Sequence, residues 1–187
     1  MRVTQLWLIR HAPVDGPRGV IHDIDAAADV GDTAALSRLR SLLPNPHVAI
    51  SSPARRARET AEALGLVAAP DPAFGEQDFG RWTGRTHEDI RRDTVAAYDD
   101  FWRAPATNRP PGGESFVNQI ARVRDGIAAL PAGDVVLIAH AGTIRAALAV
   151  ALEIPPEKAL SFVIDPLSLT RLDRLDRNWR VVAVNRI

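Results

Sequence analysis

The chain has 187 residues, 46% hydrophobic and 25% charged, enough to bury a sizeable core as one globular domain. Its 23 basic and 23 acidic side chains give a formal net charge of zero, which argues against a generally basic nucleic-acid binder and against a polybasic membrane-surface protein, but not against a pocket with a few local arginines. The absence of cysteine excludes disulfides, a thiolate nucleophile and Cys-ligated metal centres.

In MRVTQLWLIRHAPV the apolar run is broken by Arg10 and His11 and is too short for a signal-peptide core or a membrane span, so a cytoplasmic location is expected. Val3 to Ile9 reads as a buried strand. Ala12 to Asp32 mixes Pro, Gly, Asp and His and reads as a long loop. Asp32 or Thr33 caps a helix that runs to about Leu43, where Pro44 stops it. His47 to Ser51 is a second strand, and Ser52-Pro53 starts a helix that ends at Gly65.

From Val67 to Gly113 five prolines and a charged helical stretch, His87 to Arg103, suggest an excursion over the core, with a small cap-like part at about 76–114. Ser115 to Leu130 is an amphipathic helix, with Phe116, Ile120, Val123, Ile127 and Leu130 on one stripe. Val135 to Ala139 is a buried strand, and Gly142 to Leu152 a helix. Leu160–Ile164, Leu167–Leu172 and Trp179–Val184 are expected as closing strands, with Asp176-Arg177-Asn178 turning the last pair. This alternation predicts a three-layer α/β/α domain with a mostly parallel central sheet.

Two histidines occupy equivalent places, His11 after the first strand and His140 after VVLIA. Strand carboxyl ends of an open α/β sheet converge on a ligand crevice, so both imidazoles are expected at one site. Arg10 adjoins His11, and SSPARRARETA delivers Arg55, Arg56 and Arg58 from another strand end. Guanidinium groups grip phosphate oxygens bidentately and stay charged, so the set reads as an oxyanion site. Amides at the start of the helix after His140, from Ala141 on, add donors aided by the helix dipole.

These residues, in this order, carry a family resemblance. LIRHA (Leu8–Ala12) resembles the first-histidine motif of the histidine phosphatase superfamily, also called phosphoglycerate mutase-like. SSPARRARETAEAL resembles its second-arginine motif, EQDFGRWTG (Glu76–Gly84) its acid motif, PGGES (Pro111–Ser115) its approach to the next helix, and IAHAGTIR (Ile138–Arg145) its second-histidine motif.

The resemblance implies a phosphoglycerate mutase-like fold with His11 as the nucleophile that becomes phosphohistidine. It implies that Arg10, Arg56 and His140 hold the phosphoryl oxygens and that Glu76 protonates the leaving alcohol. Arg56 is the matching arginine because it directly precedes Ala57, as in the family's R-A pattern. No cofactor and no metal are implied, since arginines and His140 supply the positive charge. The family's usual glycine after the first histidine is Ala12 here; a positive φ there would strain alanine, whereas a close approach alone would tolerate the methyl.

The same motifs serve mutases, which are longer and carry further basic residues in a larger excursion. The compact, charge-alternating excursion here favours a phosphatase acting on a small-molecule phosphate monoester. Glu76 favours an ester over a phosphoramidate. Within the family, RHAPVDGPRGVIHDIDAAA and EQDFGRWTG are most similar to α-ribazole phosphatases of cobalamin synthesis; Asp25 matches an aspartate there, and His22-Asp23 replaces their usual tyrosine–glycine. His22, Trp82, Arg85 and His87 are expected near the substrate, with Trp82 equally expected to pack the cap onto the core, and His47 is expected to be structural. A non-catalytic phospholigand-binding module would have lost His11 or Glu76, and a nucleotide-binding Rossmann protein would need a Gly-rich turn after the first strand.

Overall fold

The computed structural model describes residues 3–46, 48–176 and 178–187. The opening apolar run becomes β1 (Val3–Arg10), and the other strands are β2 (Val48–Ser51), β3 (Ala69–Pro70), β4 (Gly133–Ala139), β5 (Leu169–Leu175) and β6 (Asn178–Arg186). They form one sheet in the order β3-β2-β4-β1-β5-β6. The pairs β3/β2, β2/β4 and β4/β1 are parallel, and β1/β5 and β5/β6 are antiparallel.

The central strands are buried on both faces, which explains why VVLIA reads as a continuous apolar run rather than an alternating one. Leu6, Leu8, Val135, Leu137 and Ala139 face one layer, while Ile9, Val136 and Ile138 face the other. The first layer is packed by α5 (Phe116–Ala129), α6 (Ala141–Leu152) and α7 (Pro156–Ala159), and the second by α1 (Thr33–Leu42) and α2 (Arg55–Ala63). The chain first moves from β1 outward to β2 and β3, then returns to insert β4 between β2 and β1. Crossovers are right-handed, so reversing the direction of travel puts the returning helix on the opposite face. This is the expected three-layer α/β/α arrangement around a mixed, mostly parallel sheet.

Local chemistry accounts for the helix ends. Asp32 caps α1 by accepting from the Ala35 amide, and Ser115 caps α5 by accepting from that of Asn118. Helix α2 begins three residues later than Ser52, because Ala54, its N-cap, is extended and the Ser52 hydroxyl accepts from the Ala54 amide. The charged stretch divides at Thr94 into α3 (His87–Asp93) and α4 (Val95–Arg103).

One expected strand is absent. Leu160–Ile164 forms a turn and extended coil after α7, outside the sheet. Its carbonyls serve two arginines instead: Arg145 Nε donates to Phe162 O at 2.9 Å, and Arg10 Nη1 to Ile164 O. The short β3 was not anticipated. His47, expected at the start of β2, and Arg177, expected in the last turn, lie outside the described residues. Among the described residues no helix is long and apolar enough to cross a membrane.

The segment from Glu76 to Glu114 builds a small cluster of its own, with Trp82, Ile90 and Phe101 buried against Ile21, Phe79 and Tyr98. It is tied down where two stretches of backbone cross: Arg81 N donates to Pro111 O and Glu114 N to Asp78 O, both at 2.9 Å. A Cβ on Gly80 (φ +54°) would lie 2.5 Å from Pro111 O and 2.6 Å from Gly113 N, so only glycine fits there. Gly84 (φ +82°) has open space at the same position. Gly80→Ala is therefore expected to lose roughly 1–3 kcal/mol beyond the loss caused by Gly84→Ala, as overpacking against backbone adds to the shared φ strain. Urea unfolding of the two variants checks this; equal losses would mean that the crossing is not tight.

Candidate phosphate-binding active site

Three parallel strand ends build the floor of the site. Arg10 pairs with Ala139 across β1/β4, and Ser51 with Ile138 across β2/β4. The ladder continues one residue further, with His11 N donating to Ala139 O at 2.9 Å and Ser52 N to Ile138 O at 2.8 Å. His11, His140 and Ser52 therefore emerge side by side. The two imidazole centroids are 5.0 Å apart at 65°. Arg56, in the first turn of α2, reaches both rings: its Nε donates to His11 Nε2 at 3.3 Å, and its Nη2 lies 3.4 Å from His140 Nδ1.

The tautomer of His11 follows from its partners. Nδ1 lies 2.6 Å from the Ala12 carbonyl, which only accepts, so Nδ1 carries the proton. Nε2 is left with its lone pair toward Arg56. Ala12 itself is fully buried and is not among the positive-φ residues, so alanine is unstrained here. Its amide donates to Thr60 Oγ1, which fixes the carbonyl that orients His11.

Burial, then the neighbouring His140 and the charges of Arg56 and Arg10, hold the His11 imidazole well below the usual histidine range, against the opposing bond to Ala12. Burial, then Arg56, Arg10 and Arg122, does the same for His140. His140 Nε2 is 2.7 Å from Ser52 Oγ, which anchors that ring from behind. The arginine charge is not neutralised by a contacting carboxylate: Arg56 Nη1 donates to the Asp23 carbonyl at 2.7 Å, and Arg10 Nη1 to that of Ile164. Carbonyls fix the two guanidinium groups without cancelling their charge, which suits the floor to a dianion.

Glu76 lies on the wall of the same cavity, which has a volume of about 710 Å³ and is also lined by Arg10, His11, Arg56, His140 and His22. Its Oε1 accepts from the Gln77 amide at 3.0 Å and from Gln119 Nε2 at 3.2 Å. Gln119 is fully buried, and Arg122, one helical turn on, donates to the carbonyls of Ala73, Gly75 and Glu76. Gly142 completes this corner, because any Cβ there would collide with Glu76 Oε1. Neither Gln119 nor Arg122 was anticipated. The available signal was a glutamine on the buried stripe of α5, between Phe116 and Ile120, where the periodicity calls for an apolar residue.

Arg85 lies away from the substrate cavity, and Trp82 takes the second of its two expected places, in the cap. Trp82 is 2% exposed and packs on Tyr98 and Phe101, so its ring joins the cap cluster rather than the cavity wall. Arg85 pairs with Asp93 and donates to the Asp89 carbonyl, which turns it along α3 and away from the cavity. His87 does line the mouth, with Trp102, which sequence reasoning passed over. Arg55 and Arg58 face outward, and Arg55 pairs with Glu59. Ala141 opens α6 directly behind His140, its N-cap. Among the described residues no group of three or more His, Asp or Glu side chains is placed to hold a metal ion.

Nitrogen-resolved NMR is expected to show His11 as the Nδ1–H tautomer, with neither His11 nor His140 titrating near the ordinary value of about 6.5. In the unfolded chain both take up protons as pH falls through that value. The unfolded state then binds more protons, so stability declines below about pH 6.5. A His11 midpoint at the ordinary value, or an Nε2–H tautomer, would contradict this geometry.

Comparison with known proteins shows the family and the fold. The family model of the histidine phosphatase superfamily, branch 1, matches residues 6–187. A glucosyl-3-phosphoglycerate phosphatase of Mycobacterium tuberculosis is 35% identical over 175 residues, covering 83% of this chain and 78% of that protein. The native structure of a mycobacterial glucosyl-3-phosphoglycerate phosphatase superposes with a TM-score of 0.84 at 29% identity, covering all of both chains. A putative α-ribazole-5′-phosphate phosphatase of Escherichia coli K-12 shares the fold, with a TM-score of 0.88 at 22% identity over 97% of this chain and 96% of that one. With two histidines and two arginines gathered at the ends of adjacent parallel strands, and a family match along nearly its whole length, the chain belongs to the histidine phosphatase superfamily.

Proposed function

We propose that this chain is a metal-independent phosphatase that hydrolyses a small-molecule phosphate monoester through a phosphohistidine on His11. The observation that carries the reading is the His11 ring itself, buried and neutral. Its Nδ1 is committed to the Ala12 carbonyl, and its Nε2 lone pair faces the Arg56 guanidinium.

In the first step His11 Nε2 attacks phosphorus while the bond from phosphorus to the ester oxygen breaks. Protonated Glu76 gives its proton to the departing alkoxide. Arg10, Arg56, His140 and the amide of Ala141 take the phosphoryl oxygens, and the fixed guanidinium charges stabilise the charge that spreads over them. In the second step water attacks the phosphohistidine, Glu76 accepts its proton and the N–P bond breaks. Inorganic phosphate leaves, and Nε2 recovers its lone pair.

α-Ribazole 5′-phosphate is the named substrate favoured by the opening segment, and glucosyl-3-phosphoglycerate is the substrate in the name of the 35% identical relative. Reaction in the cytoplasm on a soluble metabolite, without nucleic acid or membrane, fits the neutral net charge.

His11→Ala is expected to abolish turnover while leaving the fold intact, and quenched wild-type reactions should yield an acid-labile, alkali-stable phosphoenzyme on His11. Full activity in the variant would sink the nucleophile assignment. Glu76→Gln is expected to slow phosphoenzyme formation roughly 10²–10⁴-fold for an alkyl phosphate and much less for p-nitrophenyl phosphate, whose leaving group needs little protonation. Equal slowing of both would show that Glu76 positions the site rather than donating the proton. EDTA should leave the rate unchanged; activity lost to chelator and restored by a divalent metal would overturn metal independence.

A further inference from the structure

The outer half of the cavity differs in character from its floor. Among the described residues, Arg10 and Arg56 are the only arginines on its wall, both at the floor, and no lysine lines it. The wall above them carries Asp23 and Asp78. Asp23 and Asp78 are exposed at the mouth. Arg85 does not line the cavity and is paired with Asp93.

The same mouth presents large apolar surface to water. Trp102 is 47% exposed and Ile24 is 56% exposed, and both line the cavity from different elements, α4 and the loop after β1. Trp102 is braced rather than loose: its ring centroid lies 5.1 Å from Phe101, 6.0 Å from Tyr98 and 6.0 Å from His87. Phe79 and His87 continue this shelf along the wall. A propped, half-exposed indole beside a cavity of about 710 Å³ is a surface on which a planar ring stacks, and the volume lies within the range of roughly 300–1,000 Å³ usual for sites of drug-sized ligands.

We propose that Ile24, Phe79, His87 and Trp102 form a leaving-group subsite for an alcohol bearing an uncharged or cationic planar ring, and that Asp23 and Asp78 disfavour leaving groups carrying a carboxylate. The proposal rests on the phosphomonoesterase reading for its orientation, with phosphate on the arginine floor and the alcohol outward. The substrate class is then a nucleoside-like or other ring-bearing phosphate monoester rather than a phosphoglycerate.

Binding of phosphonates, which cannot be hydrolysed, separates this subsite from catalysis. Calorimetric titration of wild-type protein is expected to give 3-phenylpropylphosphonate an affinity about tenfold above that of propylphosphonate, with 3-carboxypropylphosphonate weaker than either. Trp102→Ala should collapse the phenylpropyl-to-propyl ratio toward one, and Trp102→Phe should keep most of it. The double variant Asp23→Asn, Asp78→Asn should narrow the gap between the propyl and carboxypropyl ligands.

A ratio near one in the wild type, a ratio unmoved by Trp102→Ala, or a preference for the carboxylate ligand would overturn the subsite even if turnover is present. Retained ratios with no turnover of 3-phenylpropyl phosphate would instead overturn the catalytic reading and leave the subsite standing. Thermal melts of the Trp102 variants verify that they fold, and Trp102→Leu, which also lacks the ring and should lose the ratio, replaces the alanine variant if that one does not.

Discussion

The site depends on one constraint, the parallel register that brings β1, β4 and β2 to a common edge. Hydrogen bonds from His11 to Ala139 and from Ser52 to Ile138 extend the sheet one residue beyond each strand, so three side chains from distant parts of the chain start from neighbouring backbone positions. The helices that follow β1 and β4 lie on opposite faces of the sheet. This divergence leaves a crevice at the strand ends, and the two imidazoles fill its base. A slip of one residue in β1 against β4 would turn His11 and every core side chain of β1 to the wrong face.

Burial sets the chemistry of that base. Burial penalises a protonated imidazole, and two guanidinium groups nearby penalise it further, so both histidines are held neutral. The same burial would penalise the guanidinium groups if their donors lacked partners. Main-chain carbonyls of Asp23 and Ile164 meet part of that need without supplying a negative charge. The floor is consequently electropositive and already hydrogen-bonded into position before any ligand arrives, the condition under which fixed charges act most effectively on a transition state.

The carboxylate opposite is placed by a different device. Glu76 belongs to an irregular segment, and α5 holds that segment through Gln119 and Arg122, which together contact the carbonyls of Pro72, Ala73, Gly75 and Glu76 and the Glu76 side chain. The crossing of Gly80 over Gly112 and Gly113 anchors the other side. The acid is therefore mounted between side chains of α5 and a crossing of backbone, while the histidines are mounted on the sheet.

The strands that carry the histidines, the apolar stripe of α5 and the start of α1 at Asp32 or Thr33 are legible in the sequence, because each depends on residues close together in the chain. The ordered motifs also pointed to Arg10, Arg56, Glu76 and His140, and the fold gathers all of them around one cavity. Tertiary structure alone decided where side chains of the irregular excursion face: Trp82 inward to the cap cluster, Arg85 along α3 and Trp102 onto the cavity mouth. Without a period of 2.0 or 3.6 there is no facing pattern to read. Leu160–Ile164 makes the same point for the backbone. Its residues are apolar enough for a strand, yet its carbonyls are claimed by Arg10 and Arg145, and that demand arises only once partners up to 154 residues apart are folded together.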